Sequence, residues 1–450
     1  MYNYDYSMLT GDVITKDDFE YEESRKCWNR AIEKYPYIIN YCNNKEDVSN
    51  AIKWARKNEI SFRIRSGCHN YEGFSTGNDL LVIDVSKINS ICIDEDRGYV
   101  KLGGGVRNRE IYEALGNKGY PFPGGGCPTV GVSGLILGGG WGYSTRLFGL
   151  SCDTLIELEL VNYNGEILTV NEKENEDLFW ACRGAGGGNF GVVISMKFAL
   201  PKKIEMATLI NGDFNNCDID EAVELISTWQ EMYKNLDKRF NGKLSIYNSK
   251  ENGKGVKFTA LLYGDKKEAN EILEPLKKAS TNLLLKMEYG TVLEANRKIQ
   301  DSHPDYESYK SSGRFVYKEY SKNEIKELIN LIEDRAEGAI YTAITFYGLG
   351  GAVLDFKNDK TAFNYRDAKF IMGFQSVWEE AKYAPLNKRW FLDKFSYIKN
   401  ITKGSFINFP LLELENYKEE YFGENLSKLK KIKSKYDPLN IFKFPQGIDS

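Results

Sequence analysis

Arg65-Ser66-Gly67-Cys68-His69-Asn70-Tyr71-Glu72-Gly73-Phe74-Ser75 follows the strand-like run FRIRS at 62–66. Counting 58 positions on from His69 reaches Cys127, within Gly124-Gly125-Gly126-Cys127-Pro128-Thr129-Val130-Gly131-Val132-Ser133-Gly134. Each stretch sets a nucleophilic side chain, an imidazole or a thiol, among glycines that let backbone approach a ligand closely. Outward from them lie Gly138-Gly139-Gly140-Trp141-Gly142, Arg146-Leu147-Phe148-Gly149-Leu150, Asp153 and a glycine run from Gly184 to Gly191. Between Gly103 and Gly191 stand 21 of the 41 glycines, which marks a region of turns and close backbone contact.

The whole chain sets limits on this reading. Its 450 residues suffice for two or three domains at roughly 100–200 residues each. Sixty Lys and Arg against 64 Asp and Glu give a net charge of −4 with both signs interspersed, so nucleic acid is not an expected partner. Only two His occur, His69 and His303, which excludes His-rich zinc catalysis, and no metal is expected. The eight Cys all lie at or before Cys217 and include no C-x-x-C pair. No run of about 18 apolar residues suggests a membrane span, and the start, MYNYDYSMLTGDVITKDDFEYEESRKCW, lacks the basic end and apolar stretch of a signal peptide. The expectation is a cytoplasmic chain with no membrane association; no oligomeric state follows.

Periodicity divides the chain. EDVSNAIKWARKN (46–58) reads as a helix, as does NREIYEALGNKG (108–119); LLVIDVS (80–86), YVKLG (99–103), LIELELV (155–161), EILTV (166–170) and GVVISMKFAL (191–200) read as strands. Beyond Pro201 the elements lengthen. AVELISTWQEMYK (222–234), KKEANEILEPLKKA (266–279) and NEIKELINLIEDRAE (323–337) read as helices; KFTALLYG (257–264), AIYTAITFYG (339–348) and AKFIMGFQSVW (368–378) read as strands. The fold class is α+β: a first domain over 1–201 with its core at about 34–201, a second over 202–400 with an antiparallel sheet and packed helices, and a tail over 401–450. Within the tail SKLKKIKSK (427–435) reads as a helix whose basic face is solvated.

Gly186-Gly187-Gly188-Asn189-Phe190-Gly191 matches G-x-G-x-x-G, but the order around it is wrong for a dinucleotide fingerprint. That fingerprint needs a strand before the glycines and a helix after; here helix-like NEDLFWACRG precedes and strand-like VVISMKF follows. Neither G-x-x-x-x-G-K-[ST] nor G-x-S-x-G occurs.

The ordered set of motifs, closed by Tyr436-Asp437-Pro438-Leu439-Asn440-Ile441-Phe442-Lys443-Phe444-Pro445-Gln446-Gly447-Ile448, resembles the berberine bridge enzyme-like FAD-linked oxidases of the vanillyl-alcohol oxidase type, over nearly the whole chain. The resemblance implies a PCMH-type FAD-binding domain onto which the tail folds back, and a bicovalent FAD: His69 on the 8-methyl carbon of the isoalloxazine ring and Cys127 on ring carbon 6. It assigns the turn Arg65, Ser66, Gly67, Cys68, His69 and Asn70 to the pyrophosphate. Further cofactor contacts follow from Thr129, Val130, Gly131, Ser133 and Gly134, from Gly138, Gly139, Gly140 and Asp153, and from Asn189, Gly191, Val192 and Val193. Asn408 and Gln446 of the tail complete the set. Val130 falls where a small residue in the family goes with ready reaction with oxygen. The implied activity is hydride abstraction from an alcohol, sugar-like or secondary-metabolite substrate, with O2 reduced to H2O2. Oxidative cyclisation or desaturation, and a non-catalytic flavin-bearing protein, are the alternatives.

The chain departs from the family in two places. R-S-G-G-H reads R-S-G-C-H here, so Cys68 is expected to have a negative φ, since a side chain resists a positive one. The family's Y-x-N-Y reads Phe406-Ile407-Asn408-Phe409, and a phenyl ring cannot be a general base. Trp141 likewise stands where the family has an active-site Tyr. The candidates for proton transfer are then Asp355, with Asn358 beside it in a loop and unable to titrate, and Tyr71.

Overall fold

The computed structural model describes residues 4–449. Strands β1 (Asp12–Thr15), β2 (Ile38–Tyr41), β3 (Phe62–Arg65) and β4 (Leu81–Asp84) form a four-stranded sheet in the order β1-β2-β4-β3. β2 and β3 run parallel to β4. The helix Lys45–Lys57 covers the sheet: the Asn44 side chain accepts from the Asp47 amide at its N-terminus, and Val48, Ala51, Ile52 and Ala55 are buried at helical spacing. A second sheet is wholly antiparallel, with β5 (Ile91–Asp94), β6 (Tyr99–Gly103), β7 (Leu155–Val161), β8 (Ile167–Asn171) and β9 (Val192–Ala199) in the order β5-β6-β9-β7-β8.

After residue 200 the chain builds one antiparallel sheet of eight strands: β10 (Met206–Asn215), β11 (Phe240–Ser249), β12 (Gly253–Leu262), β13 (Leu284–Thr291), β14 (Ser308–Val316), β15 (Ala339–Gly348), β16 (Phe370–Trp378) and β17 (Lys403–Ser405). Their order is β13-β10-β12-β11-β15-β16-β14-β17. Alternation gives the sheet two unlike faces. Even-numbered Ile210, Leu244, Ile246, Phe258, Ala260, Ile344 and Phe346 are buried, and the helices Ile219–Met232, Lys322–Leu331 and Ala384–Ile401 pack on this side. The odd-numbered face is polar and faces the first domain.

The tail supplies the edge strand β17, which pairs with β14, and then crosses to the first domain. The helix Leu426–Tyr436 buries Leu429 and Ile432, but its basic face is not all solvated. Lys433 is fully buried: Nζ donates to the carbonyls of Asn189 (2.8 Å) and Phe442 (2.7 Å) and to Asp437 (2.6 Å). The i, i+4 spacing of Lys433 and Asp437 was the only sequence signal of this pair. The helix expected over 266–279 breaks into Lys266–Ile272 and Glu274–Ala279, because Pro275 has no N–H to continue the ladder. Among the described residues no helix is long and apolar enough to cross a membrane.

Candidate active site

A cavity of about 1560 Å³ lies between the glycine-rich loops of the first domain and the polar face of the large sheet. Ligand pockets usually occupy roughly 300–1,000 Å³, so this one has room for two bound molecules side by side. Its sheet wall is built from alternate residues: Asn211 and Asp213 of β10, Lys243, Ser245 and Tyr247 of β11, Lys257 and Thr259 of β12, Thr345 and Tyr347 of β15. Strand register sets Lys243 opposite both Thr259 and Tyr347.

On the opposite wall His69 and Cys127 converge. His69 Nε2 lies 2.7 Å from the Thr129 hydroxyl, and the Cys127 thiol lies 3.9 Å from the same oxygen. Trp28 stacks on the His69 ring, with centroids 5.0 Å apart and planes at 26°. Burial first, then the charges of Arg107 and His303, push the His69 pKa down to about 3, so its imidazole is neutral near pH 7. Burial raises the Cys127 thiol, against the lowering effect of the Thr129 amide and hydroxyl.

The loops carrying these groups touch backbone to backbone. A β-carbon on Gly67 would collide with the Gly131 amide, and one on Gly131 with Ser66. Elsewhere the glycines leave open space. Gly134 has no atom within 4 Å of its β-position and Gly187 has only atoms at 3.6 Å or beyond, although both line the cavity. Protein packing does not require glycine there; side chains would fill the space that a flat, extended cofactor needs, so this wall fits the flavin that the motifs imply.

The expected cofactor residues divide into two groups. Ser66, Gly67, Cys68, His69, Asn70 and Tyr71 line the cavity, with Cys127, Val130, Gly131, Ser133 and Gly134 beside them and Gly191, Val193, Asn408 and Gln446 farther along. The second group stands behind the wall. The Arg65 guanidinium is buried in an ion pair with Asp84, and Asp153 is bound by Arg366 at 2.6 and 2.9 Å; neither reaches the cavity. Gly138 packs against the Asn408 amide, Gly139 against Phe363 and Gly140 against Ser151. Asn189 bonds the carbonyl of Ala185 and accepts from the Ile448 amide, and Val192 is in the core. Thr129 acts through His69.

Two expectations are corrected. Asp355 ends a short turn, Gly351–Asp355, outside the cavity wall, exposed and paired with Lys238 at 3.0 Å, so its carboxyl does not face the site. Cys68 adopts φ +58 rather than a negative value. The Trp28 amide donates to its carbonyl (3.1 Å) and its thiol reaches the Lys26 carbonyl (3.7 Å), which hold the strained turn in place. Interaction with the Cys27 thiol draws Cys68 down and holds Cys27 up.

Tyr71 stacks on Phe409 at 5.1 Å and 7°, and Tyr347 tilts against the same ring at 5.5 Å. Burial raises both phenols, Tyr347 to about 12 and Tyr71 well above its ordinary value. Three groups that sequence reasoning missed complete the site. His303 packs on Gly126 beside Cys127, Lys243 projects from β11, and Glu307 stands before β14, its backbone amide donating to the Trp28 carbonyl at 3.3 Å. Glu307 is half-buried, has no ion pair within 4 Å among the described residues, and burial raises its pKa against the pull of Lys257 and Lys243. The alternation in NGKLSIYNS (241–249) is the sequence signal for Lys243, weakened by the Asn, Gly and Ser that interrupt it.

Comparison with known proteins agrees with this geometry. A family model for an FAD binding domain matches residues 36–171, and one described as berberine and berberine like matches 405–449. YgaK, an FAD-linked oxidoreductase of Bacillus subtilis strain 168, is 34% identical over 447 residues, covering 98% of this chain and 97% of its own. Reticuline oxidase of Papaver somniferum is 27% identical over 457 residues, covering 92% and 83%. Among solved structures, glucooligosaccharide oxidase of Acremonium strictum, described with a 6-S-cysteinyl, 8α-N1-histidyl FAD, superposes with a TM-score of 0.89 at 22% identity over 97% of both chains.

Proposed function

Because the chain belongs to the berberine bridge enzyme-like FAD-linked oxidoreductases, we propose that it is an oxidase that takes a hydride from an alcohol, sugar-like or secondary-metabolite substrate and returns the electrons to O2 as H2O2. His69 and Cys127 would hold the FAD covalently, His69 through the 8-methyl carbon and Cys127 through ring carbon 6. The observation that carries this reading is their convergence: two nucleophiles from separate loops meet one threonine hydroxyl at the wall of a cavity large enough for cofactor and substrate. When bound, the flavin supplies hydride acceptance and electron transfer to oxygen; the chain's residues orient the substrate and move its proton.

The neutral His69 keeps a lone pair for bonding to carbon. Val130, small and apolar, lines the cavity and would leave room for oxygen to reach the flavin. Proton acceptance falls to Glu307, a carboxyl in the cavity with no ion pair within 4 Å among the described residues, in place of Asp355. Tyr71, held protonated by burial, forms part of the substrate wall with Phe409 and Tyr347. Oxidative cyclisation or desaturation is the second reading, favoured by Phe409 at the cavity wall where family members carry a phenol.

Acid precipitation of the purified protein tests the attachment: yellow colour must stay with the denatured chain, and flavin washing into the supernatant refutes it. Anaerobic mixing with a panel of alcohols, sugars and phenolic metabolites, followed by air, tests the activity. Flavin bleaching followed by rapid return of colour with peroxide is expected; slow return in air would make the protein a dehydrogenase.

A further inference from the structure

We propose that the cavity takes a substrate bearing a carboxylate, and that Lys243 and Lys257 on the polar sheet face are the subsite that binds it. This names the substrate class within the oxidase reading above and uses the flavin only as a reporter. Lys243 stands opposite Thr259, and Lys257 two residues along the same strand stands opposite Ser245, so the lysines are diagonal neighbours on β11 and β12. Diagonal side chains on one sheet face start about 7–8 Å apart, a gap that the two oxygens of one carboxylate can bridge from long ammonium side chains.

What the lysines lack supports the assignment. Among the described residues neither has a carboxylate within 4 Å, whereas Lys286 and Lys298 at the outer end of the same cavity both pair with Glu288, at 3.0 and 2.5 Å. Lys257 lies over the stacked rings of Tyr247 and Tyr341, at 5.2 and 4.7 Å, and Lys243 is flanked by neutral Thr259 and Tyr347. Two carboxyls face the pair: Asp213, opposite Lys257 on β10, and Glu307 across the cavity. Asp213 offsets part of the Lys257 charge, and Glu307 offsets part of both from across the cavity without pairing with either within 4 Å. Burial lowers both amines, Lys243 half-buried in the sheet wall and Lys257 nearer solvent, and for Lys243 the neighbouring Lys257 charge lowers it further. Two ammonium groups side by side with no directly bonded carboxylate among the described residues leave donors unmet, and a substrate carboxylate would take them in charge-assisted hydrogen bonds. Ser245 and Thr345, joined at 2.8 Å, offer hydroxyls beside it.

The test titrates the holoprotein with two matched pairs of probes, D-glucuronate against D-glucose and phenylacetate against phenylacetamide, followed by the flavin absorption spectrum and by calorimetry. The acid of at least one pair is expected to bind tenfold or more tighter than its neutral partner. Lys243→Met and Lys257→Met should each cut that preference at least fivefold, and Lys243→Arg should keep it. A preference below tenfold in both pairs, no binding of either acid, or a preference that survives in the double Lys243→Met/Lys257→Met variant overturns the proposal. Circular dichroism checks that each variant is folded, and Lys243→Gln, which also removes the charge, serves if the methionine variant is not. A protein purified without flavin would count against the oxidase reading instead, and calorimetry on that colourless protein still measures the lysine subsite.

Discussion

The Nε2 atom of His69 and the hydroxyl of Thr129 are 2.7 Å apart, and the Cys127 thiol is the next group along, 3.9 Å from that hydroxyl. With Nε2 protonated, the Thr129 oxygen accepts the bond and Nδ1 keeps its lone pair, the form a nucleophilic imidazole needs. Thr129→Val removes this restraint at little change in volume. Mass spectrometry of proteolytic peptides should show less flavin on the His69 peptide, with the Cys127 linkage largely kept; equal occupancy of both peptides would show that the hydroxyl has no part in attachment.

The two anchors act separately in the proposed site. His69→Ala and Cys127→Ala should each retain flavin through acid precipitation by one bond, and the double variant should lose it all to the supernatant. Unequal absorption maxima of the two single variants would identify which ring position each residue holds.

Lys243 costs stability where it stands. Burial brings its pKa down to about 8, so folding must force the charged amine into an enclosed site at every pH below that. Lys243→Met should therefore stabilise the ligand-free protein by on the order of 1–3 kcal/mol at pH 7, read from chemical denaturation. The sign follows from linkage: the folded state binds fewer protons than the unfolded one between about 8 and 10.5, so wild-type stability rises through that window and the gain from Met fades by pH 10.5. A variant that is less stable than wild type at pH 7 would refute this account.

Cys68 holds φ +58, a conformation that disfavours any β-carbon. Cys68→Gly should gain about 1 kcal/mol of stability after allowing for the extra freedom of glycine in the unfolded chain. A loss larger than that would show that the thiol's contacts with the Lys26 carbonyl and Cys27 outweigh the backbone strain.

Lys433 and Asp437 are both fully buried. Lys433→Met leaves the Asp437 carboxylate without its cation and strips donors from the carbonyls of Asn189 and Phe442. The expected loss is about 3 kcal/mol or more, with a parallel drop in the urea midpoint.

How much of this was legible depended on whether the signal was local. LIELELV (155–161) and AIYTAITFYG (339–348) coincide with β7 and β15, because the Leu/Glu alternation of the first and the β-branched and aromatic residues of the second need no partner to be recognised. β10, β11 and β13 were missed: their polar positions face a cavity, so Asn, Lys and Glu sit where a strand buried on both faces would show Val or Ile. The loop sequence around His69 and Cys127 pointed to an anchor, since scarce residue types recur there in a fixed order. Asp355 failed because a motif gives a residue type without a direction, and its side chain turns to Lys238 and solvent. Glu307 and His303 had no local pattern at all; only tertiary packing against Trp28 and Gly126 brings them to the site.

The crossing of the tail has a consequence in time. The glycine turn at Gly186–Asn189 is held by Lys433, 244 residues farther on, and by the Ile448 amide, while Gln446 itself lines the cavity. At a synthesis rate of roughly 5–20 residues per second, the ribosome needs about 12–50 s to deliver those clasps after the turn has been made. The first domain therefore has to wait, with its cofactor bed open on one side, until the last part of the described chain arrives. Flavin loading is in this sense a finishing step of biogenesis, and any truncation that removes Lys433 should yield colourless protein even though both anchoring residues are intact.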